Sequence, residues 1–187
     1  ELEGLLEIEP LPEAHRVLWD LFLDRGEEGV AARHLEAAVV LAARDVAACR
    51  ELLELGLRRQ PDAPWIACRL SETEARSGNT RRAEELLRGL LTREPSQADV
   101  VLQTLRGEDF GVRSAVLQLL EIDCLLVSHG NAEALELLQK LRAQDGADRS
   151  ALIERYQILA APATAGLTVD VELGTLLKES GRIEEAV

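Results

Sequence analysis

The chain contains no methionine, two tryptophans, one tyrosine and two phenylalanines among 187 residues, so aromatic side chains supply only 3% of it. A core with so few rings must be filled by Leu, Ala and Val, and small aliphatic side chains suit helices that lie close together. Cations are scarce as well: 21 Lys and Arg stand against 34 Asp and Glu, a formal charge of −13. That balance argues against nucleic acid as a partner, because affinity for phosphate backbones comes largely from cationic side chains that release counterions. It argues equally against an anionic membrane surface. No apolar run reaches the roughly 18 residues that a spanning helix needs, so no membrane insertion is expected. No secretory signal is visible. The chain begins at Glu1 without Met, as expected of a piece of a longer protein.

Reactive patterns are missing too. The sequence has no Gly-rich phosphate loop, no HExxH, no GxSxG and no CxxC pair. Cys49, Cys68 and Cys124 are odd in number and far apart. They are expected to be buried small hydrophobes in a reducing compartment, which points to the cytoplasm, with the periplasm as the alternative. His15, His34 and His129 fall on different predicted helices, where a lone histidine is more often a packing or surface residue than a ligand. Acidic neighbours such as Glu84 and Glu85 do not converge on one helix face. The expectation is a protein that is not an enzyme and holds no cofactor or metal.

What the sequence does have is repetition. The clearest unit runs between Pro61 and Pro95, 34 residues apart. Within it, residues 63–77 and 80–93 carry apolar side chains at three- and four-residue steps, as amphipathic helices do. Gly78 separates the two, because a residue that tolerates positive φ ends a helix readily, and Thr80 can cap the next. Five residues after the glycine, Ala83 lets the second helix lie against the first, and Leu87, Leu90 and Leu91 continue the stripe. Turn glycines recur as Gly78, Gly111, Gly146 and Gly181, at steps of 33, 35 and 35. Second-helix ends fall near Glu27, Pro61, Pro95, His129 and Pro162, at steps of 34, 34, 34 and 33. Small residues follow the turns as Cys49, Ala83, Ala115, Ala151 and Ala186, and only the turn at Arg44 and Asp45 lacks its glycine.

This punctuation resembles the tetratricopeptide repeat family, from about residue 28 onward. The family's Leu followed by a small residue is matched by Leu173 and Gly174, and less closely by Leu70 and Ser71. Its usual first-helix aromatic is replaced by Glu74 and Leu177. The resemblance implies an all-α, right-handed solenoid of antiparallel hairpins with a period of about 34 residues. The frame divides residues 1–187 as one array, with a partial repeat at 1–29, repeats at 30–63, 64–97, 98–131 and 132–166, and a truncated repeat at 167–187. About ten helices and no sheet are expected, with Arg106–Gly111 the least regular stretch. Residues 12–25 form a further helix. The 34-residue frame makes it a second helix, whereas Gly26 and Ala31 would suit a first one.

The resemblance further implies a scaffold or adaptor that binds a partner protein or peptide in a concave groove lined by first helices. The alternative is a regulatory or targeting array of a larger enzyme, or of a bacterial secretion or polysaccharide-export assembly. Groove places map to Ala31, His34, Ala38 and Leu41, then Trp65, Cys68, Glu72 and Arg76, then Ala98 and Val101, then Glu133 and Lys140, and last Thr168, Val171, Thr175 and Lys178. Trp65 is the expected anchor, with Arg69 and Arg76 on the same helix to receive carboxylates. The predicted contact set is Trp65, Arg69, Glu72, Arg76, His34, Val101, Lys140 and Lys178. Ala31, His34 and Ala38 do not supply the Lys, Asn and Arg clamp of the family's chaperone-tail adaptors. Self-association through exposed array ends is a further expectation.

Overall fold

The computed structural model describes residues 11–110, 114–144, 148–161 and 167–182. Among them are ten α-helices and two short 3-10 turns, with no strand, and helices adjacent in sequence pack in series. The chain divides into two compact units, Glu1–Leu87 and Arg88–Val187.

The first unit holds α1 (Pro12–Asp24), α2 (Glu28–Leu41), α3 (Val46–Arg59), α4 (Pro64–Arg76) and the start of α5 (Thr80–Arg93). Prolines open α1 and α4, where a missing N–H costs nothing and a fixed φ suits the helix. The turn that lacks a glycine is closed differently. Asp45 stands before α3 and its carboxylate accepts from Ala47 N (3.0 Å) and Ala48 N (3.1 Å). The Cys49 thiol then donates back to Ala42 O at 3.1 Å. The core gathers Trp19, Leu35, Ala38, Leu53 and Ile66, all fully buried, with Leu70 beside them. Gly56 permits the close approach of α3, because a Cβ there would stand 2.7 Å from a Leu35 methyl. The most extensive packing joins α1 to α2, and α3 packs more on α4 than on α2. The 34-residue frame pairs α2 with α3 instead. Helix α1 is therefore the hairpin partner of α2, as Gly26 and Ala31 suggest.

The second unit holds the rest of α5, then α6 (Ala98–Leu105), α7 (Ala115–Val127), α8 (Asn131–Arg142), α9 (Arg149–Ala160) and α10 (Leu167–Glu179). Its core includes Ile122, Ala134, Leu138, Ile153, Tyr156 and Leu176. The stretch after α6 is a 3-10 turn, Glu108–Phe110, within the segment expected to be least regular. Asp148 caps α9 as Asp45 caps α3.

One kind of helix ending recurs. Gly26, Gly78, His129 and Gly181 have φ of 75°, 81°, 61° and 79°. At each, the next residue's N–H reaches back across six residues, as from Glu27 to Phe22 O, Asn79 to Glu74 O, Gly130 to Leu125 O and Arg182 to Leu177 O. Among the described residues this left-handed stop stands at steps of 52, 51 and 52 residues. Gly111 and Gly146, expected to end helices in the same way, lie outside the described residues. Five residues beyond a stop, Ala31, Ala83 and Ala134 are each fully buried. The small residues of the intervening turns differ: Cys49 is buried, but Ala151 is half-buried and Ala115 exposed, contrary to expectation, while Ala186 lies outside the described residues.

Candidate functional site

The expected contact residues meet different fates. In the first unit, Trp65 is half-buried and packs against the core. Exposed Arg69 donates to Glu72 at 2.9 Å, so that pair is engaged within α4, and Arg76 is exposed near its end. His34 is half-buried, its Nδ1 2.9 Å from His15 Nδ1, and its ring stacks on Phe22. In the second unit, Val101 is fully buried and thus belongs to packing rather than to a binding face. Lys140 is exposed beside Glu136 at 4.0 Å, and Lys178 is exposed on α10. Among the other groove places, Ala31, Ala38, Cys68 and Ala98 are buried. The first-helix faces assigned to the groove thus carry much of the core.

Charged side chains staple neighbouring helices. Glu74, only 3% exposed, accepts from Arg50 Nε (2.7 Å) and Nη2 (3.3 Å) on α3 and from Asn79 Nδ2 (3.0 Å). In the second unit, buried Glu121 of α7 accepts from Arg106 Nε at 2.8 Å, and Arg106 also reaches Glu133 of α8. That double contact raises the Arg106 pKa, chiefly through the bond to Glu121. Asp123 receives both Arg88 (3.3 Å) and Arg155 (2.8 Å). Each of these carboxylates is thus held in an ion pair with arginine.

A cleft of about 660 Å³ in the first unit is formed by the start of α1, the end of α2 and the length of α3. Its floor is apolar, made by Leu41, Ala42, Ala48, Leu52 and Leu55. The rim carries both charges: Glu13 and Arg16 on α1, Arg44 and Asp45 in the turn, and Glu51, Glu54 and Arg58 on α3. Helix α3 makes this possible because it is apolar on two sides. Cys49, Leu53 and Gly56 are buried on its core face, and Leu52, Ala48 and Leu55 pack against the same core while their outer sides line the cleft. Leu41 is the one groove residue of the sequence reading that lies here. Its 39% exposure, with Val40 beside it at 61%, marks apolar surface at the end of α2. The doubled stripe on α3 was the available signal for the rest.

The three cysteines form no disulfide and are buried. Burial pushes the Cys49 thiol up, and it pushes Cys124 up to about 12, with help from Asp123 and Glu121. Among the described residues, no group of three or more His, Cys, Asp or Glu side chains could hold a metal ion. No described helix is long and apolar enough to cross a membrane. The chain matches no protein-family model, and no curated protein matches it.

Proposed function

We propose that the chain is a helical-repeat interaction module that binds, rather than transforms, a segment of a partner protein, and that the cleft of the first unit is where it binds. The cleft carries this reading. A partner's amphipathic helix is the occupant its chemistry fits: the leucine and alanine floor takes an apolar stripe, and the mixed rim meets charges of either sign on the flanks. The tetratricopeptide resemblance supports the same class of function, and three buried cysteines that form no disulfide support a reducing compartment.

The test compares neighbours on one helix. A photo-crosslinker at position 54 identifies the partner, whose affinity is then measured for the parent, Leu41→Glu and Val40→Glu. Leu41 lines the cleft and Val40 does not, and both are exposed enough for the substitutions to leave the fold intact. Leu41→Glu is expected to weaken binding at least about tenfold, equivalent to about 1.4 kcal/mol, with Val40→Glu unchanged. Equal affinities for all three proteins overturn the cleft. If Trp65→Ala alone abolishes binding, the site moves to α4.

A further inference from the structure

Along the cleft, helix α3 follows the spacing of a helix built to pack on another. Ala48, Leu52 and Leu55, whose outer sides line the cleft, follow one another at steps of four and three, the alternation of an apolar seam between two helices. Beside that seam come Arg44, in the turn before α3, then Glu51 and Arg58, each seven residues after the last. Seven residues are two helical turns to within about 20°, so Glu51 and Arg58 stand in one row along the seam and Arg44 stands before its start. All three line the cleft and are exposed.

The other two arginines of α3 turn away to neighbouring helices, Arg50 to Glu74 at 2.7 Å and Arg59 to Asp24 at 2.6 Å. Arg44, Glu51 and Arg58 form no ion pair among the described residues. Their signs run positive, negative, positive, and Glu54, also on the rim, strengthens the negative middle. Glu13 and Arg16 on α1 bound the cleft on its other wall. The 14 residues of α3 rise about 21 Å, so a helix of about four turns spans the row.

We propose that the cleft takes a helix of about four turns that packs along α3 in coiled-coil fashion, with acidic, basic and acidic side chains at seven-residue steps beside its own apolar stripe. This rests on the binding reading above and adds the partner's charge order. Charges that flank such a seam choose which helices pair, because a wrong flank sets like charges against each other. The row has the same signs from either end, so it selects a partner's sequence without fixing its direction. The net charge of −13 draws in any basic helix. A choice between peptides of equal charge therefore reports the row and not the field of the whole chain.

Three synthetic peptides of about 18 residues provide the test, with one leucine and alanine stripe and helix content matched by circular dichroism. Their flanks read Glu–Lys–Glu, Glu–Glu–Lys and Glu–Glu–Glu at seven-residue steps, and the first two are isomers of equal charge. Affinity for the full chain is measured by fluorescence anisotropy. The parent is expected to bind Glu–Lys–Glu at least about fivefold more tightly than Glu–Glu–Lys at low salt, with the gap closing near about 1 M salt. Glu51→Lys, at an exposed site, is expected to shift the preference to Glu–Glu–Glu. Glu36→Lys makes the same change of charge on exposed α2 surface outside the cleft and is expected to keep the parent's ranking. Leu41→Glu is expected to weaken all three peptides. The charge order is overturned, and the cleft stands, if Leu41→Glu weakens binding but the parent binds the two isomers alike, or if Glu51→Lys ranks the peptides as Glu36→Lys does. If no peptide binds, or Leu41→Glu binds them as the parent does, the cleft reading falls and the charge order with it.

Discussion

Removing the guanidinium of Arg50 strands a carboxylate that is 3% exposed, with Asn79 its remaining side-chain donor among the bonds described. Arg50→Ala is therefore expected to cost about 2 kcal/mol, near the lower end for a broken buried pair, because Arg50 itself is 35% exposed and partly screened. Arg50→Ala combined with Glu74→Leu should recover most of that loss, since no buried charge is then left without a partner. Urea melts of the two single variants and the double variant measure the coupling, and strict additivity would show that the pair is decorative. The place at Glu74 is filled by this salt bridge from the preceding helix. Thiol chemistry gives a second expectation at this scale. Cys124 is fully buried and its pKa is pushed up to about 12, so almost no thiolate forms at ordinary pH. Peptide-level mass spectrometry after alkylation should find Cys124 unmodified until denaturant unfolds the second unit, and rapid labelling of the native protein would contradict its burial.

Between elements, the alanines five places after the described left-handed stops, Ala31, Ala83 and Ala134, are all fully buried. Ala83, five residues after Gly78, is fully buried, whereas Ala115, expected from the sequence to play the same part, is exposed at the start of α7. Ala83→Leu is expected to overpack the hairpin and cost about 1–3 kcal/mol. Ala115→Leu should stay within about 0.5 kcal/mol of the parent. Chemical denaturation of both variants checks this contrast, which collapses if the two cost the same. His129 makes a complementary case, a non-glycine residue held at φ 61°. His129→Gly should stabilise by a few tenths of a kcal/mol to about 1 kcal/mol, because relief of left-handed strain outweighs the added freedom of the unfolded chain. A lower melting temperature for that variant would mean that the imidazole makes contacts worth more than the strain.

At the scale of the molecule, the helical class and most helix boundaries were legible because their signals are local. Pro12, Pro64 and Gly78 mark their own ends whatever surrounds them, and Asp45 supplies by capping what its turn lacks in glycine. The site was less legible. Val101 and Leu41 occupy similar places in an apolar pattern, yet one is core and the other lines a cleft, and only tertiary packing separates them. The histidine pair was invisible for the same reason, as residues 19 apart on two helices share no periodicity. In the first unit, the packing of α1 on α2 departs from the 34-residue frame for a different cause. Helix starts fall 16 residues apart across the described left-handed stops, from 12 to 28, 64 to 80 and 115 to 131, and 17 or 18 apart elsewhere.

That near-uniform spacing has the character of aliasing. A chain with a fundamental of about one helix per 17 residues sounds its second harmonic near 34 and its third near 51, and a composition-based search hears both equally. Phase is carried only by a marker bound to backbone conformation. In this chain that marker is a left-handed residue followed five places later by alanine, as in Gly26 with Ala31, Gly78 with Ala83 and His129 with Ala134. Among the described turns it stands at steps of 52 and 51 residues, and at His129 it does so without the glycine that a motif search would require.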